Sequence, residues 1–289
     1  MSDQIIGLHH WFESPPGRYL LAWEQARFDE AVADIFGYHS LQLGMPLLDG
    51  LRTNRMPHQW LALGQEAVAG SIAFLETGNG DGALQRRAVD LLAEPVALPF
   101  PEASLDLLVL PHTLELSIDP HAALREVERV LVPEGRVVIS GLNPASLWGL
   151  RQWRARLYQR LGKGTLYFPD VGEFIGYRRL RDWLRLLSFE VESARFGCYR
   201  PAVRSAQWLE RCSLMDPLGE RWWPIFGAAY FVVAVKRVHG MRLLEPAWRT
   251  SRQPQAATVP IANRTALAGQ PATTAPPWKR TENDNRNIV

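Results

Sequence analysis

An α/β fold built on parallel strands is what this 289-residue sequence predicts, and three observations in its middle predict it. Leu105 to Leu110 reads Leu-Asp-Leu-Leu-Val-Leu, bounded by the Pro99 and Pro101 turn and by Pro111; a strand buried on both faces has this composition. After Asp119-Pro120, the side chains of Ala123, Leu124, Val127, Val130 and Leu131 share one helical face, while Arg125, Glu126 and Glu128 lie elsewhere. Asp119 with Pro120 has the form of an N-cap followed by the first helical residue. Pro133-Glu134-Gly135 ends that helix, and Arg136 to Ser140 is the next strand. Strand, helix and strand joined by short loops make a βαβ unit whose two strands run parallel.

The remaining elements follow in chain order. From Gly17 to Phe36, Leu20, Trp23, Phe28, Val32 and Phe36 fall at mostly helical spacings with acids between them, and Gly37 stands where a helix stops; this is a covering helix. Tyr38 to Gly44 is a short strand closed by glycine. Between Gly50 and Leu92 the reading stays open, since Trp60 to Leu63, Ser71 to Leu75 and Ala88 to Leu92 each have strand character, with a Gly-Asn-Gly-Asp-Gly turn at 78–82. Leu147, Leu150, Trp153, Leu157 and Leu161 share a helix face flanked by Arg156 and Arg160. Leu180, Trp183, Leu184 and Leu187 mark another helix, where Arg178, Arg181 and Arg185 gather and Asp182 can pair with Arg178. Phe189 to Arg195 and Ala229 to Val238 read as closing strands. The aromatics Trp222, Trp223, Phe226, Tyr230 and Phe231 are expected in a core or an interface.

Composition bounds the function. The longest apolar stretch, Phe226 to Val235, is about ten residues, short of the ~20 that a membrane-spanning helix requires. Met1 to Glu13 lacks the basic start, apolar run and cleavage site of a secretory signal. Cys198 and Cys212 build no disulfide framework, and no Cys/His cluster has metal-ligand spacing. The expectation is a soluble cytoplasmic protein with free thiols and no membrane partner. Beyond Ala247 the chain turns to Pro, Ala, Thr, Gln and Asn without periodicity, so 241–289 is expected to be a disordered tail behind one domain over 1–240. The net charge of +2 is a cancellation: residues 1–135 carry 8 Lys+Arg and 19 Asp+Glu, residues 136–240 carry 17 and 8, and the remainder 7 and 3.

The run Val96 to Leu107, then His112-Thr113-Leu114-Glu115, then Leu124 to Gly135 resembles the central block of class I S-adenosylmethionine-dependent methyltransferases of the small-molecule type (methyltransferase type 11-like). The continuation Gly141 to Arg151 is similar to a poorly characterised bacterial branch of that family with a degenerate glycine loop. The resemblance implies a doubly wound, mostly parallel seven-stranded sheet, Rossmann-like, with S-adenosyl-L-methionine across the carboxyl ends of its strands. It divides the domain into a covering helix (1–37), a cofactor half (38–140) and an acceptor-side half (141–240). Carried over by residue, Gly44 takes the first position of the glycine loop with Met45 beside it. Glu94 takes the adenine-side acid, and Pro111 and His112 face the reacting end of the cofactor. His112 is the candidate catalytic residue, as general base, or else it caps the next helix. The ribose acid is Glu66 or Glu76.

This chain departs from the family in the loop, where Gln42-Leu43-Gly44-Met45-Pro46-Leu47-Leu48 stands for acid-x-Gly-x-Gly-x-Gly. Pro46 offers no N–H, and Leu48 adds bulk where backbone packs closely. Two functions follow from these features: methyl transfer to a small-molecule acceptor, or a cofactor-free binding module for RNA or a protein partner. Asn143-Pro144 follows the fifth strand, so it is not equated with the Asn-Pro-Pro motif of amino-methylating DNA enzymes. An acidic half meeting an Arg-rich half favours an anionic acceptor over a cationic one, and a nucleic acid is less favoured than a small molecule.

Overall fold

The computed structural model describes residues 11–64, 88–160, 166–168 and 174–237. The chain divides into Met1–Gly240 and Met241–Val289; the second unit, where the tail is expected, lies outside the described residues, as do Ser71 to Leu75 and the 78–82 turn. Helix α1 (Pro15–Val32) leads into β1 (His39–Leu43), β2 (His58–Leu63), β3 (Leu91–Leu92) and β4 (Leu105–Pro111). A one-turn helix α2 (Thr113–Leu116) precedes α3 (Pro120–Val130) and β5 (Leu131–Leu142). Then come α4 (Leu147–Arg160), α5 (Tyr177–Leu186), β6 (Phe189–Gly197), α6 (Ala206–Arg211), α7 (Met215–Trp222), a 3-10 turn at Pro224–Phe226, and β7 (Ala229–Lys236).

The seven strands form one sheet in the order β3-β2-β1-β4-β5-β7-β6. β1 to β5 are parallel, with Leu41 beside Leu108 and Leu110 beside Ile139. β7 runs antiparallel to both β5 and β6. The chain winds outward from β1 to β3 and then returns to β4 on the other side of β1. That reversal opens a crevice at the carboxyl ends of β1 and β4, the topological switch point where ligands bind in doubly wound sheets.

The βαβ unit forms as the sequence predicts, with Asp119 accepting from the Ala122 N–H at 2.9 Å as the N-cap of α3. Lys236, on β7, closes the other end by donating to the carbonyls of Glu128 and Leu131 at 2.6 and 2.9 Å. Three details differ. Pro133-Glu134-Gly135 does not precede β5 but lies within it: Leu105 pairs with Leu131 and Leu107 with Arg136, so the turn is a bulge that the ladder resumes beyond. α1 ends at Val32, which leaves Phe36 exposed rather than on a buried face. Asp182 pairs with Arg181, not with Arg178.

Between β1 and β2 the described backbone holds no helix; residues 44–57 are turns. The face that a crossover helix would cover is covered by α1, which comes before β1. Buried Asn54 locks the two together: its Nδ2 donates to the carbonyls of Val32 and Ile35 at 2.8 and 3.0 Å, and its Oδ1 accepts from the Met56 N–H at 2.9 Å. Asn54→Ala leaves two buried carbonyls and one N–H without these partners. It lowers stability by about 2–3 kcal/mol, read as a shifted midpoint at unchanged slope in urea unfolding.

Candidate active site

At the switch point three strand ends are pinned together. Gly44 leaves β1 in the left-handed region (φ 85°), where an L side chain is strained, and its N–H donates to the Ala62 carbonyl of β2 at 2.9 Å. Thr113, just past β4, donates its hydroxyl to the Leu43 carbonyl. A Cβ on Gly44 would lie 3.1 Å from that hydroxyl oxygen. Gly44, Met45, Pro111 and His112 therefore share one rim. At the end of β2, a Cβ on Gly64 would lie 3.2 Å from both carboxylate oxygens of Glu94, so that acid stands over the carboxyl end of β2, on the β3 side of the crevice. Glu66 and Glu76 lie outside the described residues.

The loop after β1 is organised by Gln42, which is fully buried. Its Nε2 donates to the carbonyls of Gly44, Met45 and Leu48 at 3.3, 3.2 and 2.6 Å, and its Oε1 accepts from the Gly50 N–H at 2.8 Å. A carboxylate here would accept from Gly50 but would face three carbonyls with no proton to give. Met45, Leu47 and Leu48 are buried in the core beside Leu20, Phe28 and Val32 of α1.

His112 takes φ 53°, a left-handed conformation uncommon outside glycine, at the N-cap position of α2, and its side chain makes no capping bond. Its imidazole is buried between two acids. Nδ1 lies 2.9 Å from Glu115 Oε2, and Nε2 lies 2.9 Å from Glu24 Oε1 on α1. The Glu24 contact is an ion pair by distance without a well-directed hydrogen bond to either carboxylate oxygen. Glu115 also accepts from the Leu142 N–H at 2.5 Å, which ties the cluster to the end of β5. Burial alone would lower the pKa of His112; the charge of Glu24 and then the hydrogen bond with Glu115 outweigh it, and the pKa is pushed up to about 10. Burial pushes the carboxyl of Glu115 up, against the pull of His112. Both ring nitrogens of His112 thus face carboxylates, an arrangement that favours the imidazolium form.

Beyond the rim, on the side of β5 to β7, lies a cavity of about 820 Å³, within the size range of small-molecule sites. Leu150, Trp153, Phe174, Tyr199, Trp223 and Phe226 line it, and among the described residues Arg156 is the basic side chain on its walls. Asn143 shapes it structurally, donating to the carbonyls of Ile225 and Gly227 at 2.6 and 3.0 Å and accepting from the Ala145 N–H at 3.1 Å. Asp216 holds another wall, accepting from the Tyr199 N–H at 3.2 Å, from Arg200 Nε at 2.9 Å and from the Tyr19 hydroxyl. The α4 stripe supplies part of the cavity wall through Leu147, Leu150 and Trp153; these and Leu157 are exposed, while Trp148 and Gln152 are buried, and Leu161 lies outside the described residues. Of the five aromatics expected in a core or interface, Tyr230 and Phe231 are core; Trp222, Trp223 and Phe226 are exposed.

The strand order with antiparallel β7, and a rim of this kind at the switch point, define a class I methyltransferase fold. Residues 61–139 match the family model described as "Methyltransferase domain". The match starts within β2 and ends within β5, so β1 and its Gln42-held loop lie outside it. An uncharacterised protein of Escherichia coli K12, YafS, is 44% identical over 113 residues, which is 39% of this chain and 44% of the relative's length. Among solved structures, a methyltransferase in complex with the Haloferax volcanii Trm112 methyltransferase activator is 17% identical, with 81% of this chain and 97% of that one covered at a TM-score of 0.49. A SAM-dependent methyltransferase of Thermotoga maritima is 13% identical, with 82% and 100% covered at a TM-score of 0.49.

Two outcomes are expected from this geometry. Gln42→Glu buries a carboxylate against three carbonyls and lowers stability at pH 7 by about 2–4 kcal/mol; denaturant titration at pH 5, where the carboxyl can take up a proton, recovers part of the loss. The folded-state pKa of His112 is raised from 6.5 to about 10, so its contribution is full below pH 6.5 and is lost as pH rises through 10. Glu115, an acid raised by burial from 4.5, acts in the same direction. Stability therefore declines as pH rises through this range, and His112→Gln flattens the alkaline part of the slope in urea titrations across pH.

Proposed function

We propose that this protein transfers the methyl group of S-adenosyl-L-methionine to a small molecule with an apolar body and an anionic group. The observation that carries the reading is the placement of the switch-point rim of Gly44, Pro111 and His112 at the carboxyl edge of a methyltransferase sheet whose β5–β7 side holds a ligand-sized apolar cavity. The residues fit the cofactor at two places. Gly44 and Met45, both in the left-handed region, offer backbone at the methionine end, and Glu94, over Gly64, offers a carboxylate at the adenine end. When bound, the cofactor supplies an electrophilic methyl on a sulfonium, a group that leaves readily without acid assistance.

Little acid–base work is then left to the chain, and alignment supplies most of the rate. Pro111 closes the reacting end of the rim. His112, held as a cation by Glu24 and Glu115, is a positioning residue: it anchors α1 over the carboxyl edge and keeps the buried carboxylates apart. The cavity excludes water from an apolar acceptor, and Arg156 gives its anionic group a counter-charge. Soluble localisation in the cytoplasm belongs to this reading; among the described residues, no helix is long and apolar enough to cross a membrane.

S-adenosylhomocysteine at about 100 times its Kd raises stability by about 2.7 kcal/mol, a thermal shift of roughly 5–11 °C for a domain of this size. Glu94→Gln weakens that binding about tenfold, as calorimetric titration reads it. No shift at millimolar ligand sinks the cofactor assignment.

A further inference from the structure

The cavity wall and the helices and segments that continue from it in the chain expose far more apolar surface than a soluble monomer scatters singly. Trp153, Trp208, Trp222 and Trp223 are 63, 57, 68 and 59% exposed, and Leu214, Leu218, Ile225 and Phe226 are 73, 52, 53 and 54% exposed. All lie on α4, α6, α7 or the segments that join and follow them. The same stretches are basic: residues 144–160 and 199–226 together hold eight arginines and three acids. α4 contains no acid, and Asp216 is consumed by Arg200.

We propose that this face docks on the surface of a bilayer containing anionic lipids. Tryptophan with an apolar body and a polar N–H suits the headgroup boundary, leucine and isoleucine beside it enter the acyl region, and arginine meets the phosphates. Charge complementarity separates this occupant from the others. A second copy would bring two Arg-rich faces together. A single-stranded RNA would satisfy the tryptophans and arginines but leave Leu214, Leu218 and Ile225 in water. Leu150, Trp153, Leu218, Trp223 and Phe226 both line the cavity and belong to the exposed face, so the cavity mouth opens within the docking surface. An apolar acceptor carried in the membrane would enter without crossing water. Docking itself does not depend on the methyl-transfer reading; acceptor delivery does.

The test is co-sedimentation of the full chain with phosphatidylcholine vesicles, with and without phosphatidylglycerol. Binding is expected to the anionic vesicles, to weaken with salt, and to blue-shift tryptophan emission. Trp208→Ala with Trp222→Ala, two exposed positions outside the cavity wall, should lower partitioning about tenfold at an unchanged melting temperature. Arg151→Gln with Arg154→Gln should remove the preference for anionic lipid. The proposal is overturned by absence of binding to anionic vesicles at low salt, or by binding that the Trp substitutions leave intact. It is equally overturned by a dimer in sedimentation velocity, or a complex with an RNA oligonucleotide, that those substitutions abolish while vesicle binding stays.

Discussion

A buried carboxylate on the covering helix sets the terms for the site end of this molecule. Leu20, Glu24, Phe28 and Val32 follow one another at intervals of four on α1, and all are fully buried. An unpaired carboxylate in that stripe would cost several kcal/mol, so a cation must reach it, and His112 does. To place an imidazole there the chain leaves β4 in a left-handed turn, a strained conformation that persists only where surrounding contacts enforce it. The same turn starts α2 and brings Glu115 to the other ring nitrogen and to the backbone of β5. One ion cluster thus joins α1, β4, α2 and β5.

What the sequence made legible was set by which residues speak through local patterning. The β4–α3–β5 unit could be read because buried parallel strands and an amphipathic helix each leave a short-range periodic signature, and Asp119-Pro120 marks a boundary chemically. Gly44 and His112 could be placed at strand ends because they sit next to such strands. The pairing of His112 with Glu24 was not, since the partners lie 88 positions apart in the chain. A signal existed: Glu24 stands at i+4 from Leu20 and i−4 from Phe28, an acid on the apolar stripe. The outward turn of α4 was hidden for the opposite reason. Leu147, Leu150, Trp153 and Leu157 give a correct helix period, but periodicity reports that a face is apolar and not what it faces. Here Trp148 and Gln152 take the buried side, Gln152 by accepting from the Tyr167 and Phe168 N–H groups at 3.0 and 2.9 Å.

The charge asymmetry acquires a place in the fold once pairing is removed from it. Two pairs that cross between the acidic and basic portions are Arg195 with Glu30 at 2.9 Å and Arg237 with Glu134, while Arg237 also bonds Glu190 within the basic portion. Acids of the first portion also serve the backbone, Asp106 accepting from the Tyr38 and His39 N–H groups and Asp90 from that of Leu61. Exposed pairs of this sort contribute little stability each, yet they cancel charge locally. α4 holds four arginines and no acid of its own, and it supplies part of the cavity wall.

The loss of glycines after β1 and the replacement of an acid by Gln42 are one structural change. A glycine loop in this fold leads into a helix that holds it, whereas here no helix follows and α1 covers the same face from before the strand. A loop without that helix needs other anchors. Met45, Leu47 and Leu48 provide apolar ones beneath α1, which glycine could not, and their turns bring the carbonyls of residues 44, 45 and 48 inward. Inward carbonyls need a donor while the Gly50 N–H needs an acceptor, and a glutamine amide is a neutral group of the right length that is both. Gly44 alone keeps the left-handed turn that the strand exit demands. The Gln42-held loop is therefore a different way of holding a strand exit from the glycine pattern of the methyltransferases it resembles, and it follows from which helix covers the sheet.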